Sequence, residues 1–132
     1  MLVEARATLH RSARSRQEKG SRPLYSPPLF SLRNQIEGNV IQAISRTLKE
    51  EVKFDRAMVT SLDWSGYPIL RFTEIPEVVI ELINHPDQPA LGAGEPANSA
   101  IPAAIANALF NATGVRLRTV PFTPERVKAA LA

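Results

Sequence analysis

Apolar side chains recur at three- and four-residue intervals between Leu32 and Leu48, which predicts an amphipathic helix over this segment. Ser31 supplies a side chain that can cap the start of the helix. Gly38 lies inside it, where glycine costs roughly 1 kcal/mol relative to alanine. This glycine fits either the close approach of a bulky ligand or a tight helix crossing, and the pattern does not choose between them. The apolar face consists of Ile36, Val40, Ile41, Ile44 and Leu48.

Three later segments have the composition of extended chain. Residues 52–59 predict a hairpin that turns at Asp55. Residues 77–83 are rich in β-branched side chains and predict a buried strand. A cluster of turn-forming residues follows that strand, which makes His85 a loop residue. Residues 116–120 predict one more short strand.

Two further helices are predicted in the last third of the chain. Ile101–Phe110 is alanine-rich and helical, with Asn98 or Ser99 as its cap and Gly114 as its stop. Thr123 precedes a proline and caps the final helix.

The order helix, hairpin, strand, glycine loop, helix, strand, helix predicts an α+β fold, with a small mixed sheet packed by two or three helices. Residues 32–132 form this domain. The first helix has little bulk at Gly38 and Ala43, and the second is mostly alanine. Helices with so few large side chains can pack closely against other parts of a protein, so the segment is expected to be a piece of a larger domain.

Residues 1–31 lack a sustained apolar period and are rich in arginine, serine and proline, which predicts a disordered basic arm. Residues 1–22 carry six basic and two acidic side chains, whereas the other 110 residues carry ten and eleven, so the net charge of +3 resides in the arm. A solvated tail, an organelle transit peptide and a nucleic-acid-binding segment are the three interpretations of the arm. The near-neutral body predicts no nucleic-acid partner.

Composition excludes several classes of site. The chain has no cysteine, so disulfides, thiolate zinc sites and iron–sulfur ligation within it are excluded. His10 and His85 are its only imidazoles, and a His-rich metal site is not expected. No run of 18 apolar residues exists, which predicts that the chain has no membrane span.

The segment Gly92-Ala93-Gly94-Glu95 is the best candidate for chemistry. Two glycines around an alanine let the backbone approach a ligand closely and adopt positive φ. Glu95 precedes the alanine-rich helix, whose dipole and free N–H groups favour the carboxylate form. An ionised carboxylate held beside a cofactor is suited to general-base catalysis. Plain helix-entry electrostatics behind a glycine turn is the competing interpretation.

Four motifs follow one another along the chain: Gln35-Ile36-Glu37-Gly38, Tyr67-Pro68-Ile69-Leu70, Gly94-Glu95-Pro96, and Ala104–Phe110 with Ala112–Arg118. In this order they resemble the C-terminal part of the molybdopterin-binding catalytic subunit of the xanthine dehydrogenase/aldehyde oxidase family. The nearest type is that of isoquinoline 1-oxidoreductase and nicotinate dehydrogenase. The resemblance covers about residues 32–128, so residues 32–132 are expected to be the C-terminal part of such a molybdopterin-binding domain.

The resemblance implies an oxidoreductase that hydroxylates an aldehyde or an N-heteroaromatic carbon with water-derived oxygen. Glu95 falls on the family's glutamate, which is the general base of the reaction. Gly94 would lie against the molybdenum centre, and Gln35 resembles the glutamine that contacts the pterin. The implied cofactor is molybdenum–molybdopterin in its cytosine dinucleotide form. Its dithiolene holds the metal, so no residue of this chain is expected to be a metal ligand.

The resemblance also implies partners. These are the remainder of the molybdopterin-binding subunit, a separate [2Fe–2S] small subunit that carries electrons away, and a small-molecule aldehyde or N-heterocycle substrate. Family members are several times longer than this chain, and residues 21–28 differ from the segment that precedes the glutamine helix in the family. The alternative is therefore a truncated non-enzymatic fragment, or a small interaction protein that keeps the fold without activity. A cytoplasmic location is expected, with the periplasm as the alternative.

Overall fold

The computed structural model describes residues 2–10, 29–85 and 92–132. The chain divides into two compact units. Unit 1 consists of Met1–Asn39 and Pro76–Ala97, and unit 2 consists of Val40–Ile75 and Asn98–Ala132. Each unit joins segments that are distant in the sequence, so each depends on long-range contacts within itself.

Unit 1 contains a sheet of two parallel strands, β1 (Leu2–His10) and β2 (Glu77–His85). The register pairs the first residues of the two strands with each other, and likewise the last. Valine and isoleucine dominate β2, and such branched side chains fit a pleated strand. Ile80 is buried, and its carbonyl oxygen accepts a hydrogen bond of 2.9 Å from Nη1 of Arg33 on helix α1 (Leu29–Leu48). This bond joins the helix to the strand.

Residues 2–10 form a strand, so the prediction of a disordered arm is wrong for this part of it. Apolar and polar residues alternate from Val3 to Leu9, which is a strand signal that the high arginine content of the arm obscures. Residues 11–28 of the predicted arm lie outside the described residues. Helix α1 is confirmed and begins at Leu29, slightly before its predicted start.

Unit 2 contains the end of α1 together with helices contributed by the last third of the chain. A five-residue helix, α2 (Glu95–Ser99), precedes α3 (Ile101–Thr113) and α4 (Pro124–Leu131). The N–H of Phe122 donates a hydrogen bond of 2.7 Å to the carbonyl oxygen of Thr47, the penultimate residue of α1. The apolar core of the unit consists of Val40, Ala43, Ile44, Ile101, Ile105 and Phe122.

The ends of the predicted helices agree with the structure except at two caps, one of which is Ser31, because α1 begins at Leu29 and contains it. Gly114 ends α3 in the left-handed region with φ of 73°, and Thr123 Oγ1 accepts a hydrogen bond of 3.3 Å from the Arg126 N–H at the start of α4. The residue before α3 is Ala100, which makes no side-chain cap. The predicted caps Asn98 and Ser99 belong to α2 instead.

Three predictions of extended structure differ in extent. β2 continues to His85, which is therefore its last residue and not a loop residue. The hairpin of residues 52–59 is reduced to one antiparallel bridge, between Phe54 and Val59. Residues 116–120 form no strand, and the guanidinium of Arg116 lies 4.0 Å from the Phe110 ring centroid on α3.

The α+β class is confirmed. The described sheet is one parallel pair, whereas the sequence predicts a mixed sheet, because residues 116–120 add no further strand. No helix in the described part of the chain has the length and apolarity needed to span a membrane.

Candidate functional site

Gly94 lies at the end of the glycine loop, in unit 1, and is buried. A Cβ atom placed on it would lie 2.9 Å from Nδ2 of Asn39 and 3.5 Å from Oε1 of Gln35. The first distance is shorter than real Cβ atoms show, so a side chain at position 94 requires the Asn39 carboxamide to move, whereas the second is an ordinary van der Waals contact. Gly94 is therefore packed against polar side chains of this chain, and the approach of its backbone to a ligand stays a prediction.

Helix α1 brings Gln35 and Asn39 to the same place. Residues four apart lie one turn from each other on one face of an α-helix. The Asn39 side chain also donates a hydrogen bond of 3.0 Å to the backbone carbonyl oxygen of Gln35. Two carboxamides thus meet the glycine loop side by side.

Glu95 follows Gly94 directly and is exposed. Its Oε2 lies 4.0 Å from the position of a Cβ on Gly92, so the carboxylate is folded back beside the loop. Within the described part of the chain its carboxylate has no hydrogen-bond partner. Glu95 is the first residue of the short helix α2, whereas the sequence predicts it just before the long alanine-rich helix. A five-residue helix has a weak dipole, so favourable electrostatics at a helix N-terminus explain the presence of this glutamate less well.

The structure thus brings Gln35 and Gly94 together and places Glu95 next to them in the chain. Sequence reasoning missed Asn39, although the four-residue spacing from Gln35 is a signal that could have found it. Groups of histidine, cysteine, aspartate and glutamate able to hold a metal ion do not occur among the described residues. The candidate site therefore consists of the Gly94 backbone, the two carboxamides of α1 beside it, and the exposed carboxylate of Glu95.

No protein-family model matches the chain. A nicotinate dehydrogenase subunit of Pseudomonas putida KT2440 is 51% identical over 100 residues, which are 76% of this chain and 8% of that protein. A membrane-bound aldehyde dehydrogenase of Gluconacetobacter polyoxogenes, whose name specifies pyrroloquinoline quinone, is 36% identical over 97 residues, 74% of this chain and 12% of that protein. The aldehyde oxidoreductase molybdenum-binding subunit PaoC of Escherichia coli K12 is 30% identical over 102 residues, 72% of this chain and 14% of that protein.

Among solved structures, quinoline 2-oxidoreductase from Pseudomonas putida 86 matches with a TM-score of 0.69 and 31% identity, over 78% of this chain and 14% of that chain. This chain therefore spans about a tenth of the length of the relatives it matches. A 100-residue match within 132 residues includes residues 33–100 wherever it begins, and so contains Gln35, Gly94 and Glu95. The chain is a homologue of a segment of the molybdenum-binding subunits of the xanthine dehydrogenase/aldehyde oxidase family.

Proposed function

We propose that this chain is the part of a molybdenum hydroxylase catalytic subunit that bears the general base, Glu95. The observation that carries the proposal is the enclosure of Gly94 by the Gln35 and Asn39 carboxamides, directly followed by an exposed carboxylate. The loop has no side chain at Gly94, and it presents a carboxylate at Glu95. A site for general-base catalysis beside a bound group needs both properties.

The residues around Gly94 suit a molybdenum–pterin cofactor, which supplies two-electron oxidation when it is bound. A Cβ at Gly94 would collide with Asn39, so glycine at this position lets the loop backbone lie directly beside the carboxamides of α1. The Gln35 carboxamide has a donor and an acceptor, and no side-chain partner for it occurs in the described part of the chain. We assign the pterin contact to Gln35 and the close backbone contact to Gly94.

Glu95 performs the proton step in this proposal. Its carboxylate accepts a proton at an Oε atom as water-derived oxygen is transferred to the substrate carbon. The Glu95 side chain is exposed, and a general base must be accessible to the group from which it takes a proton. The Glu95 side chain is folded toward Gly92, which places its carboxylate beside the loop.

The proposal extends to the assembly that this segment serves. Quinoline, nicotinate and aldehydes occur in the names of the relatives, so we assign an aldehyde or an N-heteroaromatic carbon as the substrate. Electrons leave through a separate [2Fe–2S] subunit, because this chain has no cysteine to ligate a cluster. The cofactor is assigned in its cytosine dinucleotide form and the enzyme to the cytoplasm, and the remainder of the molybdenum-binding subunit is a required partner.

The test is a chimera in which this chain replaces the matched segment of the P. putida nicotinate dehydrogenase subunit. Glu95→Gln keeps the shape and removes the base, so turnover should fall by roughly 10²–10⁴-fold while molybdenum content stays constant. Glu125→Gln, at the start of α4, is the matched control and should leave turnover unchanged. Normal turnover of Glu95→Gln would eliminate the base assignment. Release of pyrroloquinoline quinone in place of molybdenum and pterin would eliminate the cofactor assignment.

A further inference from the structure

The segment from Val52 to Ile75, in unit 2, has an unusual distribution of polar and apolar groups. None of its residues is buried, although all of them are described. Eight large apolar side chains in it are exposed: Val52, Phe54, Met58, Val59, Leu62, Trp64, Ile69 and Phe72. Phe54 and Trp64 are each 76% exposed, and Phe72 is 94% exposed. A segment of this composition would ordinarily supply core residues.

Polar groups hold the backbone of this segment in place. Asp55 Oδ1 accepts hydrogen bonds from the N–H groups of Ala57 and Met58, at 2.8 and 3.0 Å. Asp63 Oδ1 accepts from the N–H groups of Ser65 and Gly66, at 3.0 and 2.8 Å. These bonds fix the turns without any help from the apolar side chains, which are left facing outward.

Two further contacts attach the same segment to α1. The Leu70 N–H donates a hydrogen bond of 2.9 Å to Ser45 Oγ, which is buried, and Glu74 forms an ion pair with Lys49. The segment therefore has polar anchors on its inner side and apolar side chains on its outer side. Trp64 also borders a shallow cleft of about 190 Å³ lined by Pro68, Ile69 and Arg71. A side chain of a partner can enter this cleft.

The exposed area is large for a free surface. Aromatic side chains present 150–250 Å² each, so Phe54, Trp64 and Phe72 alone expose on the order of 500 Å². The largest apolar patch on a typical monomer is about 300–600 Å² and often has a binding role, and these three side chains alone expose a comparable area. The energetic gain from covering these side chains identifies the segment as an interface.

We infer that residues 52–72 form the surface by which this chain packs against the remainder of the molybdenum-binding subunit. The occupant follows from the relatives: the match to the nicotinate dehydrogenase subunit includes residues 33–100, hence this whole segment, and is only 8% of that protein. In that relative the 100 matched residues are thus accompanied by more than ten times their own length of chain. The inference rests on the proposed function for the identity of the partner.

Cysteine labelling tests the inference, because the chain has no cysteine of its own. Phe54→Cys, Trp64→Cys and Phe72→Cys are labelled with a maleimide, first in the isolated 132-residue chain and then in the full-length chimera, and the modified peptides are quantified by mass spectrometry. The isolated chain should react rapidly at all three positions, and the chimera at least ten-fold more slowly. Glu125→Cys on α4 is the control for general loss of reactivity.

Equal rates in the isolated chain and the chimera would overturn the inference. Slow labelling of the isolated chain would also overturn it: a concentration-dependent rate would indicate that a second copy covers the segment, and a concentration-independent rate that this chain covers it itself. The molybdenum content of the chimera reports separately on the proposed function. If the three cysteines are protected in a chimera that contains no molybdenum, the interface is retained and the proposed function is rejected. If the chimera contains molybdenum and the cysteines are not protected, the proposed function is retained and the interface is rejected.

A second measurement needs no chimera. Substituting serine for Phe54, Trp64 and Phe72 together should leave the melting temperature of the isolated chain within about 2 °C, because these side chains are exposed and make no core. A larger fall would show that they already pack within this chain, and the inference would fail.

Discussion

Gly38 and Gly94 have opposite surroundings. A Cβ at Gly38 meets no heavy atom within 4 Å, whereas a Cβ at Gly94 meets the Asn39 carboxamide at 2.9 Å. The sequence shows a glycine at both positions and does not distinguish them. Space around Gly38 is open in the described part of the chain, so a tight helix crossing does not explain it there.

Gly94→Ala should lower the free energy of unfolding by about 1–3 kcal/mol, because the added methyl overpacks against Asn39. Asn39→Ala removes the obstructing carboxamide, so the double variant should recover most of this loss. Urea denaturation of both single variants and the double variant measures the coupling. Simple additivity of the two losses would show that Asn39 is not what excludes a side chain at position 94.

Gly38→Ala is the internal control for that series. In an exposed helix interior with open space, alanine should raise the free energy of unfolding by roughly 0.5–1 kcal/mol. A loss at Gly38 as well would indicate a general cost of substituting glycine in this chain, and not a local collision.

At the scale of elements, the turn at Asp63 shows how a single carboxylate holds an irregular segment. The Ser65 hydroxyl and then the Gly66 N–H donate to this carboxylate and lower the pKa of Asp63. A pKa lowered by folding means that the turn is stabilised above the ordinary aspartate range and loses that stabilisation as pH falls through the folded pKa. Trp64 lies inside the turn and is the only tryptophan of the chain.

Trp64 fluorescence should therefore change as the pH falls below the ordinary aspartate range, ahead of any loss of helix signal in circular dichroism. Asp63→Asn retains an acceptor oxygen that does not titrate, so its fluorescence should be flat over the same interval. A pH-dependent signal that persists in Asp63→Asn would assign the change to another group.

The β1–β2 pair supplies the second prediction at this scale. Adjacent N–H groups in a strand point in opposite directions, so one of the two at Ala7 and Thr8 faces β2. Replacing both residues with proline should lower the melting temperature by at least about 4 °C, or about 1 kcal/mol. Thr8→Val keeps the N–H and serves as the control. A melting temperature unchanged by the two prolines would show that the pairing contributes no stability.

Helix positions could be predicted from the sequence far better than sheet composition. The apolar period of α1, the alanines of α3, and the Thr123 and Gly114 caps are local signals, and local backbone preferences decide them. Strands need a partner that the sequence does not name. Residues 116–120 have a strand composition and yet form no strand, while β1 pairs with a strand far along the chain.

The residue types of the candidate site could be predicted from the sequence, but the contacts between them could not. Glycine at position 94 and the acidic residue after it were visible as sequence letters, and the resemblance gave them roles. The meeting of Gly94 with Gln35 and Asn39 depends on how unit 1 folds, because Gly94 lies 55 positions after Asn39 in the sequence. No periodicity connects positions so far apart.

For the whole molecule, the small number of cofactor contacts leads to a prediction about metal. Gln35 and Gly94 provide only part of the surroundings that a large anionic cofactor requires, so the isolated chain should contain far less than one molybdenum per molecule. Elemental analysis of the chain after expression in a host that makes the cofactor gives the answer, with the chimera as the positive control. Stoichiometric molybdenum in the isolated chain would show that these 132 residues suffice.

The parallel pairing of β1 and β2 also determines when unit 1 can fold. Every pair in that ladder joins residues 75 positions apart, so its formation closes a loop longer than half of the chain. Contacts of such separation slow folding, because chain entropy is lost before they form. At roughly 5–20 residues per second, a ribosome leaves β1 without its partner for on the order of 4–15 seconds. During synthesis the first strand is therefore available to other chains, and cells that make much of this protein should depend on chaperones that bind nascent strands.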